Sequence, residues 1–266
     1  MRIGFIGIGN MGGAILNGVL KGRGDEKFSV LAFDVDPVKV AAAREKGVTV
    51  CENIARLVEG SDMVMLGVKP NMCAEVLPVI GQSYDDSKIL VSMAAGISIS
   101  FIEKYLGEGA KIIRVMPNTP AMVGEAMTSV SRNKNITEAH MKQALAVFNS
   151  IGKAREAPEE LIHCVIGVSG SSPAYTYMYI DALAEAAVKN GMDKEEALVF
   201  AAQAVYGAAK MVLETGIDPV QLRINVCSPG GTTIEAVESL QENKFAEVIE
   251  AGFSAAVEKS KLMTGK

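Results

Sequence analysis

Tryptophan, histidine and cysteine are the residues that this sequence lacks or uses least. Its 266 residues include no tryptophan, two histidines and four cysteines. The cysteines are far apart and form no C-x-x-C pair: Cys51, Cys73, Cys164 and Cys227. Because zinc sites and thioredoxin-like motifs need closely spaced cysteines, we expect neither a metal site nor a redox motif. Such cysteine usage fits a reducing, cytoplasmic compartment best.

Positive charge is not in excess, and long hydrophobic runs are missing. Residues 1–160 carry 18 Lys and Arg against 18 Asp and Glu, and residues 161–266 carry 8 against 13. Since nucleic-acid binding relies on basic patches, we expect no nucleic-acid partner. The apolar stretch from Ala174 to Val188 is interrupted by Asp181, and a membrane span needs roughly 20 apolar residues. The N-terminus has no signal-peptide pattern, so we expect no membrane segment.

The first part of the chain alternates short apolar runs with helical patterns. Five runs have the length and composition of buried strands: Ile3–Ile6, Val30–Phe33, Met63–Gly67, Ile89–Ser92 and Ile112–Met116. Three segments between them have helical periodicity: Met11–Leu20, Pro37–Lys46 and Ile99–Tyr105. Apolar strands separated by helices predict a parallel sheet covered on both faces. We therefore predict a doubly wound, Rossmann-type α/β domain over residues 1–158.

Residues 159–266 have the composition of a second, all-helical domain. Long helices are predicted over three segments: Pro173–Lys189, Lys194–Thr215 and Lys244–Lys261. Small residues on all sides of the second of these helices indicate close packing on several faces. We expect this domain to bind the substrate and to form an intertwined homodimer.

A glycine-rich motif follows the first predicted strand and opens a helix. The segment Gly7-Ile8-Gly9-Asn10-Met11-Gly12 matches the G-x-G-x-x-G dinucleotide fingerprint in the required context. Gly7 allows a tight turn, Gly9 lets the backbone approach the pyrophosphate, and Gly12 allows close helix packing. The N–H groups at the helix N-terminus can bind the phosphates. The motif predicts NAD(P)H as cofactor; the alternative is a glycine-rich turn without a ligand.

Asp34 ends the second predicted strand, about 20 residues after the glycine motif. A carboxylate there can hydrogen-bond the adenosine ribose hydroxyls and repel a 2′-phosphate, which favours NAD over NADP. The alternative is that Asp34 or Asp36 caps the helix that begins near Pro37. The sequence is consistent with both interpretations.

Three further turns follow predicted strands, where open α/β sheets bind ligands. Lys69-Pro70 follows the third predicted strand, and Ala94-Ala95-Gly96 follows the fourth. The small residues of the second turn would let a flat nicotinamide ring lie against the backbone. Pro117-Asn118-Thr119-Pro120 follows the fifth strand, and we expect its two polar side chains to be free to line the reactive end of the cofactor. The alternative interpretation is that each segment is an ordinary turn without a ligand. For Pro117-Asn118-Thr119-Pro120 this alternative is a rigid, exposed turn.

Two loops of the helical part combine glycine with hydroxyl side chains just before predicted helices. They are Ser169-Gly170-Ser171-Ser172-Pro173-Ala174 and Ser228-Pro229-Gly230-Gly231-Thr232-Thr233. Hydroxyl groups and helix N-terminal N–H groups can bind a small carboxylate without an arginine. Ser171 and Ser228 are therefore candidate substrate ligands, together with Gly231, Thr232 and Thr233. The alternative is N-capping, which would explain one hydroxyl in each loop.

His140 and His163 lie outside these motifs, so we expect structural roles for both. Oxidation of an alcohol normally requires a basic side chain near the transferred hydride. Reduction of a protonated imine does not, because the C=N bond is already electrophilic and the protein need only orient the reactants. The pattern favours reduction of a C=N bond.

The motifs together resemble those of the pyrroline-5-carboxylate reductase family over nearly the whole chain. The segments that carry the resemblance are 4–12 (GFIGIGNMG), 68–70 (VKP), 94–98 (AAGIS), 114–120 (RVMPNTP), 168–175 (VSGSSPAY), 207–211 (GAAKM) and 226–234 (VCSPGGTTI). The resemblance implies NAD(P)H-dependent reduction of 1-pyrroline-5-carboxylate to L-proline, the final step of proline biosynthesis. It also implies a 6-phosphogluconate dehydrogenase-like architecture and a homodimer that can assemble further, for example into a ring of dimers.

The resemblance also assigns residues by position. Ser228 and Gly231-Thr232-Thr233 would hold the substrate carboxylate, with the Thr233 hydroxyl near the ring nitrogen as polariser or proton donor. The implied cofactor contacts are Gly9-Asn10-Met11, Asn53, Lys69 and Ala95. Many members carry Ser, Asn or Arg where this chain has Asp34 and use NADPH, so the cofactor preference stays open.

Two other functions fit the same architecture. One is a β-hydroxyacid dehydrogenase-like alcohol oxidoreductase, and the other is a non-catalytic nucleotide-binding protein. The first would need a lysine on the first long helix of the second domain, and the segment from Ala174 to Val188 contains none.

Overall fold

The structure is a computed structural model that describes residues 1–22 and 28–264. Contacts divide the chain into two compact units, one formed by Met1–Gly170 with Ala256–Lys266 and the other by Ser171–Ala255. The first unit contains the sheet, and the second contains helices.

The first unit is built on a sheet of eight strands within the described residues. In chain order they are β1 (Arg2–Ile6), β2 (Ser29–Phe33), β3 (Thr49–Val50), β4 (Met63–Leu66), β5 (Ile89–Ser92), β6 (Ile112–Met116), β7 (Ala126–Arg132) and β8 (Gly152–Glu156). Their spatial order is β3-β2-β1-β4-β5-β6-β7-β8, and every neighbouring pair is parallel except β6 and β7. The strand order reverses beside β1, which is where open α/β sheets bind ligands.

Helices cover both faces of the sheet. They are α1 (Asn10–Leu20), α2 (Pro37–Glu45), α3 (Ile54–Gly60), α4 (Cys73–Gly81), α5 (Ile99–Leu106) and α6 (Glu138–Asn149). A short helix, α7 (Ile162–Val165), follows β8. One apolar core joins α1 and α6 to one face and fully buries Phe5 and Phe148. A second core joins α3, α4 and α5 to the opposite face and fully buries Leu66 and Leu77. Because successive side chains of a strand point to opposite faces, strands buried on both faces are apolar throughout.

The second unit contains α8 (Ser172–Lys189), α9 (Lys194–Thr215), α10 (Pro219–Val226) and α11 (Thr232–Glu242). A further helix, α12 (Phe245–Thr264), begins in this unit, and its residues from Ala256 onwards belong to the first. Asp193 and Asp218 cap α9 and α10 with their side chains. Gly216 ends α9 with a φ of +65°. Local capping residues therefore determine these helix boundaries.

Much apolar surface on the helices of the second unit is exposed. Side chains more than half exposed include Tyr177 and Met178 on α8, and Val199, Phe200 and Leu213 on α9. Among the described helices, α9 alone is long and apolar enough to cross a membrane by length and composition, and 11% of its apolar window is buried. One such helix is weak evidence for a span, and broad exposed apolar surface is also typical of protein interfaces. The absence of a membrane segment stays a prediction.

The predicted fold class is confirmed, with one correction to the sheet. The five predicted strands correspond to β1, β2, β4, β5 and β6, and the predicted helices to α1, α2, α5, α8, α9 and α12. A wholly parallel sheet is wrong for β6 and β7, because a short turn around Thr119–Val123 joins them in place of a crossover helix. The domain boundary at residue 158 stays a prediction.

Candidate functional site

The carboxyl ends of β1, β2, β4, β5 and β6 lie along one edge of the sheet, since these strands are parallel neighbours. The loops that leave these ends, together with the first helical turns that follow them, contain most of the predicted cofactor residues: Gly7, Gly9, Asn10, Met11, Gly12, Asp34, Lys69, Pro70, Ala94, Ala95, Gly96 and Asn118. Asn53 follows β3, which is also parallel to its neighbour. The sheet therefore brings these residues to the edge where α/β folds bind ligands.

Two glycines shape the loop after β1 through close backbone contacts. Gly7 has a φ of +89° and donates its N–H to the Phe33 carbonyl oxygen at 2.9 Å. A Cβ at Gly7 would lie 2.8 Å from the Gly67 carbonyl oxygen, and one at Gly12 would lie 2.4 Å from the Gly7 carbonyl oxygen. Both distances are too short for a side chain, so this loop requires glycine at positions 7 and 12.

Gly67 also shapes the candidate site, and the sequence motifs did not identify it. It follows β4, and a Cβ there would lie 2.7 Å from the Gly7 carbonyl oxygen. The residue therefore lets the chain after β4 approach the glycine-rich loop. A glycine at the end of an apolar strand is the sequence signal that could have identified it.

Gly9 differs from the other two motif glycines because, apart from its own chain neighbours, no described atom lies within 4 Å of where its Cβ would be. It is the N-cap of α1, no side chain caps this helix, and the first turn has no acidic residue. Internal packing therefore does not explain the glycine, whereas close approach of a pyrophosphate to the backbone does. The open space beside Gly9, at the N-terminus of α1, fits the pyrophosphate of NAD(P)H.

Asp34 anchors the glycine-rich loop. Its Oδ2 atom accepts the Ile8 N–H at 2.8 Å, and its Oδ1 atom accepts the Asp36 N–H at 2.9 Å. Asp36 is the N-cap of α2, and the Val38 N–H that it accepts lowers the pKa of its carboxyl group. Capping of α2 therefore falls to Asp36, and Asp34 keeps its carboxylate at the sheet edge with lone pairs for further donors.

The turn after β4 is short and fixed by its own backbone. Lys69 is exposed and precedes the 3-10 turn Pro70–Met72. Its carbonyl oxygen accepts the Met72 N–H at 2.9 Å. The backbone that carries the Lys69 side chain is therefore fixed at the carboxyl-terminal edge of the sheet, near the other predicted cofactor residues.

The turn Ala94–Gly96 after β5 is held by contacts on both sides. The buried Ala94 donates its N–H to Ser92 Oγ at 3.3 Å. Gly96 has a φ of +77°, and a Cβ there would lie 3.0 Å from the Met263 carbonyl oxygen of α12. Ala95 and Gly96 are half-buried, so small side chains leave part of this backbone accessible to a flat ring.

Asn118 is not free, contrary to the sequence prediction. Its Nδ2 atom donates to the Ser169 carbonyl oxygen at 3.0 Å, and its Oδ1 atom accepts the Met127 N–H at 2.9 Å. It is 9% exposed, so the alternative of an exposed turn is also wrong at this residue. Asn118 fixes the loop after β6. Asn53 likewise has a local role, since it caps α3 through the Arg56 N–H.

The loop before α11 enters the helix without a side-chain cap. Gly230 has a φ of +69°, and Gly231, the N-cap, donates its N–H to the Ser228 carbonyl oxygen at 2.9 Å. Thr232 and Thr233 are the first two residues of the helix. Within residues 1–22 and 28–264 the hydroxyls of Ser228, Thr232 and Thr233 have no hydrogen-bond partner, and all three residues are exposed. N-capping does not account for these hydroxyls.

The loop before α8 has hydroxyls in two situations. Ser169 Oγ donates to the Val165 carbonyl oxygen at 3.0 Å. Ser171 lies at the N-cap position of α8, but its side chain makes no capping hydrogen bond. Its carbonyl oxygen accepts the Ala174 N–H at 3.0 Å. Of these two serines, Ser171 stays a candidate ligand.

Both histidines have structural contacts. His140 forms a capping box with Thr137 at the start of α6. His163 Nδ1 lies 2.8 Å from Ser260 Oγ, and burial lowers its pKa, as do the positive charges of Arg114 and Lys261. The part of the chain that the structure describes contains no group of three or more His, Cys, Asp or Glu side chains able to hold a metal ion.

Known proteins are similar to the chain along its whole length. Residues 159–263 match the family described as pyrroline-5-carboxylate reductase dimerisation, and residues 2–96 match the family described as NADP oxidoreductase, coenzyme F420-dependent. Pyrroline-5-carboxylate reductase from Escherichia coli (strain K12) is 43% identical over 264 residues, which cover 99% of this chain and 98% of that protein.

Solved structures show the same similarity. A pyrroline-5-carboxylate reductase from Coxiella burnetii has a TM-score of 0.90 at 32% identity, with 98% of each chain covered. The crystal structure of Plasmodium falciparum pyrroline carboxylate reductase with NADP bound has a TM-score of 0.85 at 31% identity, covering 99% of this chain and 98% of that one.

Proposed function

The chain belongs to the pyrroline-5-carboxylate reductase family, and we propose from this premise how its two candidate sites share the reaction. It is an NAD(P)H-dependent oxidoreductase that reduces 1-pyrroline-5-carboxylate to L-proline, the final step of proline biosynthesis. The observation that carries this function is the 43% identity over 99% of the chain, a span that includes both the glycine-rich loop and the loop before α11.

The first unit binds the cofactor, which supplies a hydride to the C=N carbon of the substrate. The pyrophosphate lies in the open space beside Gly9 and is held by the N–H groups at the α1 N-terminus. Asp34 holds the adenosine ribose, and the Ala94–Gly96 turn holds the nicotinamide. The remaining proposed contacts are Gly7, Asn10, Met11, Gly12, Asn53, Lys69, Pro70 and Asn118.

NADH is the preferred cofactor in this proposal. The Asp34 carboxylate is held in place by the N–H groups of Ile8 and Asp36. A fixed negative charge at the end of β2 repels a 2′-phosphate and accepts hydrogen bonds from ribose hydroxyls. The NADP found with the Plasmodium falciparum relative belongs to that protein.

The loop before α11 binds the substrate. The Ser228 hydroxyl and the N–H groups of Thr232 and Thr233 hold the carboxylate, because the helix N-terminus has no competing side-chain cap. Gly231 contributes the turn at this site, since its own N–H donates to the Ser228 carbonyl oxygen. The Thr233 hydroxyl lies near the ring nitrogen and polarises the C=N bond or donates a proton to it. Ser171 adds a further hydroxyl to this site. The chain thereby orients the substrate without a basic side chain.

The functional form is a homodimer that can assemble further, for example into a ring of dimers, in the cytoplasm. Support comes from the match of residues 159–263 to a dimerisation family and from the exposed apolar side chains on α8 and α9. A dimer interface also explains the apolar composition of α9 without a membrane. The four unpaired cysteines agree with a reducing compartment.

A direct assay tests this function. The purified chain is mixed with 1-pyrroline-5-carboxylate and NADH or NADPH, and the loss of nicotinamide absorbance is followed while proline is identified chemically. We expect proline to form with both cofactors and at higher kcat/KM with NADH. If no proline forms with NADH or with NADPH, the function is contradicted. A higher kcat/KM with NADPH than with NADH would contradict the role of Asp34.

A further inference from the structure

A partly buried ion pair joins Arg114 of β6 to Glu159, whose side chain is 27% exposed. Arg114, in the centre of β6, is 2% exposed, and its Nη1 atom lies 2.8 Å from Glu159 Oε1. The same oxygen accepts the N–H of Ile99, the first residue of α5, at 2.9 Å. One carboxylate oxygen therefore connects the middle of the sheet to the helix that follows the turn.

Neither helix capping nor stability accounts well for this contact. The helix already has a cap, since Ser98 Oγ accepts the Phe101 N–H at 3.1 Å. Burial of the Arg114 guanidinium group costs solvation free energy that an ion pair with a partly exposed carboxylate offsets only in part, and apolar replacements of both partners of such pairs are often equally stable. Within the described residues the Nε and Nη2 atoms of Arg114 are buried without a hydrogen-bond partner, so the pair is not optimised for stability.

We propose that Glu159 and Arg114 are positioning residues for the nicotinamide turn. The inference rests on the proposed function, which assigns the Ala94–Gly96 turn to the nicotinamide. Ile99 follows Gly96 by three residues, and Glu159 holds its N–H. The guanidinium group of Arg114 in turn holds the carboxylate, and the buried β6 strand holds the guanidinium.

The turn is thereby fixed at both ends. At its start, Ser92 Oγ on β5 accepts the Ala94 N–H, and three residues beyond its end Glu159 accepts the Ile99 N–H. Between them, the positive φ of Gly96 and the nearby Met263 carbonyl oxygen restrict the backbone. Displacement of a reacting group by about 1 Å can lower a rate on the order of a hundredfold, so a fixed turn benefits hydride transfer.

The test separates the nicotinamide from the rest of the cofactor. Dissociation constants for NADH and for ADP-ribose, which lacks the nicotinamide, are measured on the full chain together with kcat and Tm. The first variant is Glu159→Leu, which removes the oxygen that accepts the Ile99 N–H, and Glu160→Leu on the exposed neighbouring residue is the matched control. We expect Glu159→Leu to lower kcat about tenfold and to weaken binding of NADH but not of ADP-ribose. Glu160→Leu should behave as the wild type.

A double variant removes both the acceptor and the charge that its loss would leave unpaired. Arg114→Met with Glu159→Leu should keep a Tm near that of the wild type, yet show the same selective loss of NADH affinity and a lower kcat. Equal losses for NADH and ADP-ribose, or unchanged kcat and NADH affinity in both Glu159 variants, would overturn the proposal.

A third variant, Ala95→Leu, tests the premise separately. A larger side chain in the turn should weaken NADH binding and leave ADP-ribose binding unchanged. If it affects neither ligand selectively, the nicotinamide site itself is wrong, and the inference falls with it. If Ala95→Leu is selective while both Glu159 variants are not, the inference alone is wrong.

Discussion

The same chain builds its two candidate sites in different ways. At the sheet edge of the first unit, Asp34 anchors the glycine-rich loop and both amide atoms of Asn118 are hydrogen-bonded within the protein. In the second unit, the hydroxyls of Ser228, Thr232 and Thr233 are exposed and have no partner among the described residues. The candidate cofactor site is therefore preorganised by side-chain hydrogen bonds, whereas the hydroxyl side chains of the loop before α11 are not held by such bonds.

This contrast indicates which of the two candidate sites depends on self-association of the chain into a dimer. A preorganised site loses little conformational freedom on binding, so a single chain should bind the dinucleotide. The loop before α11 belongs to the unit that exposes apolar side chains on α8 and α9. We therefore expect substrate turnover, but not cofactor binding, to depend on the dimer.

The largest effect is expected from breaking the dimer. Phe200 on α9 is 62% exposed in the single chain, and in the proposed dimer, whose interface we expect to include this apolar face, Phe200→Glu would bury an unpaired charge. The cost of several kcal/mol should weaken dimerisation by about a hundredfold or more. Analytical ultracentrifugation, NADH binding and turnover are measured together, with Phe200→Leu as control. A monomer with full turnover would contradict the contrast between the two sites.

Removal of the Thr233 hydroxyl should have the next largest effect. Thr233→Ala is expected to lower kcat about a hundredfold, as loss of one polarising donor typically does. Because the side chain is exposed, the free energy of unfolding should change by less than about 0.5 kcal/mol. Steady-state kinetics and urea unfolding check both values. As a control, Thr233→Ser keeps the hydroxyl and should keep most activity. A wild-type kcat for Thr233→Ala would contradict the proposed role of the Thr233 hydroxyl.

Local patterns in the sequence predict the cofactor edge well and the outer strands poorly. The strands β1, β4, β5 and β6 are predominantly apolar, and each is followed by a motif that lies at the same edge. In contrast, β7 (AMTSVSR) and β8 (GKARE) mix polar with apolar residues, and β3 has two residues. These strands gain their stability from pairing with neighbours, which a local pattern does not encode.

Contacts between distant residues explain the other failures at the candidate site. Arg114 interrupts an apolar strand, and its partner Glu159 lies 45 residues later in the chain. Asn118 looks like a free turn residue because its partners, Ser169 and Met127, belong to other elements. Only the folded chain brings such partners together, so sequence patterns identify the edge but not the side chains that hold it.

The preference for NADH over NADPH tests the role of Asp34 in the candidate cofactor site. Asp34→Ser removes the carboxylate that would repel a 2′-phosphate, and we expect the ratio of kcat/KM for NADPH to that for NADH to rise about tenfold, equivalent to about 1.4 kcal/mol. Asp36→Ser is the matched control, since it removes a charge two residues away and keeps a residue that caps helices. An equal change of the ratio in both variants would show a general charge effect and contradict a specific role for Asp34.

The smallest expected effect is a pH dependence of stability that arises in the first unit. Burial lowers the pKa of His163 below its ordinary value of 6.5, as do the nearby charges of Arg114 and Lys261. The unfolded chain therefore binds this proton more readily, and the free energy of unfolding should fall as the pH drops below about 6.5 and level off below the pKa of the folded state. Carboxyl groups with lowered pKa, such as Asp62 beside Arg2, titrate below this range.

Urea unfolding between about pH 5 and pH 8 measures this slope. His163→Gln keeps a polar side chain near Ser260 but cannot titrate, so its slope should be smaller than that of the wild type. Burial and the charge of Lys111 also lower the pKa of His140, and the double variant with His140→Gln should remove most of the remaining slope. Because both histidines lie outside the loop before α11, kcat near pH 7.5 should stay close to the wild-type value. An unchanged slope in His163→Gln would show that its surroundings do not disfavour the protonated ring.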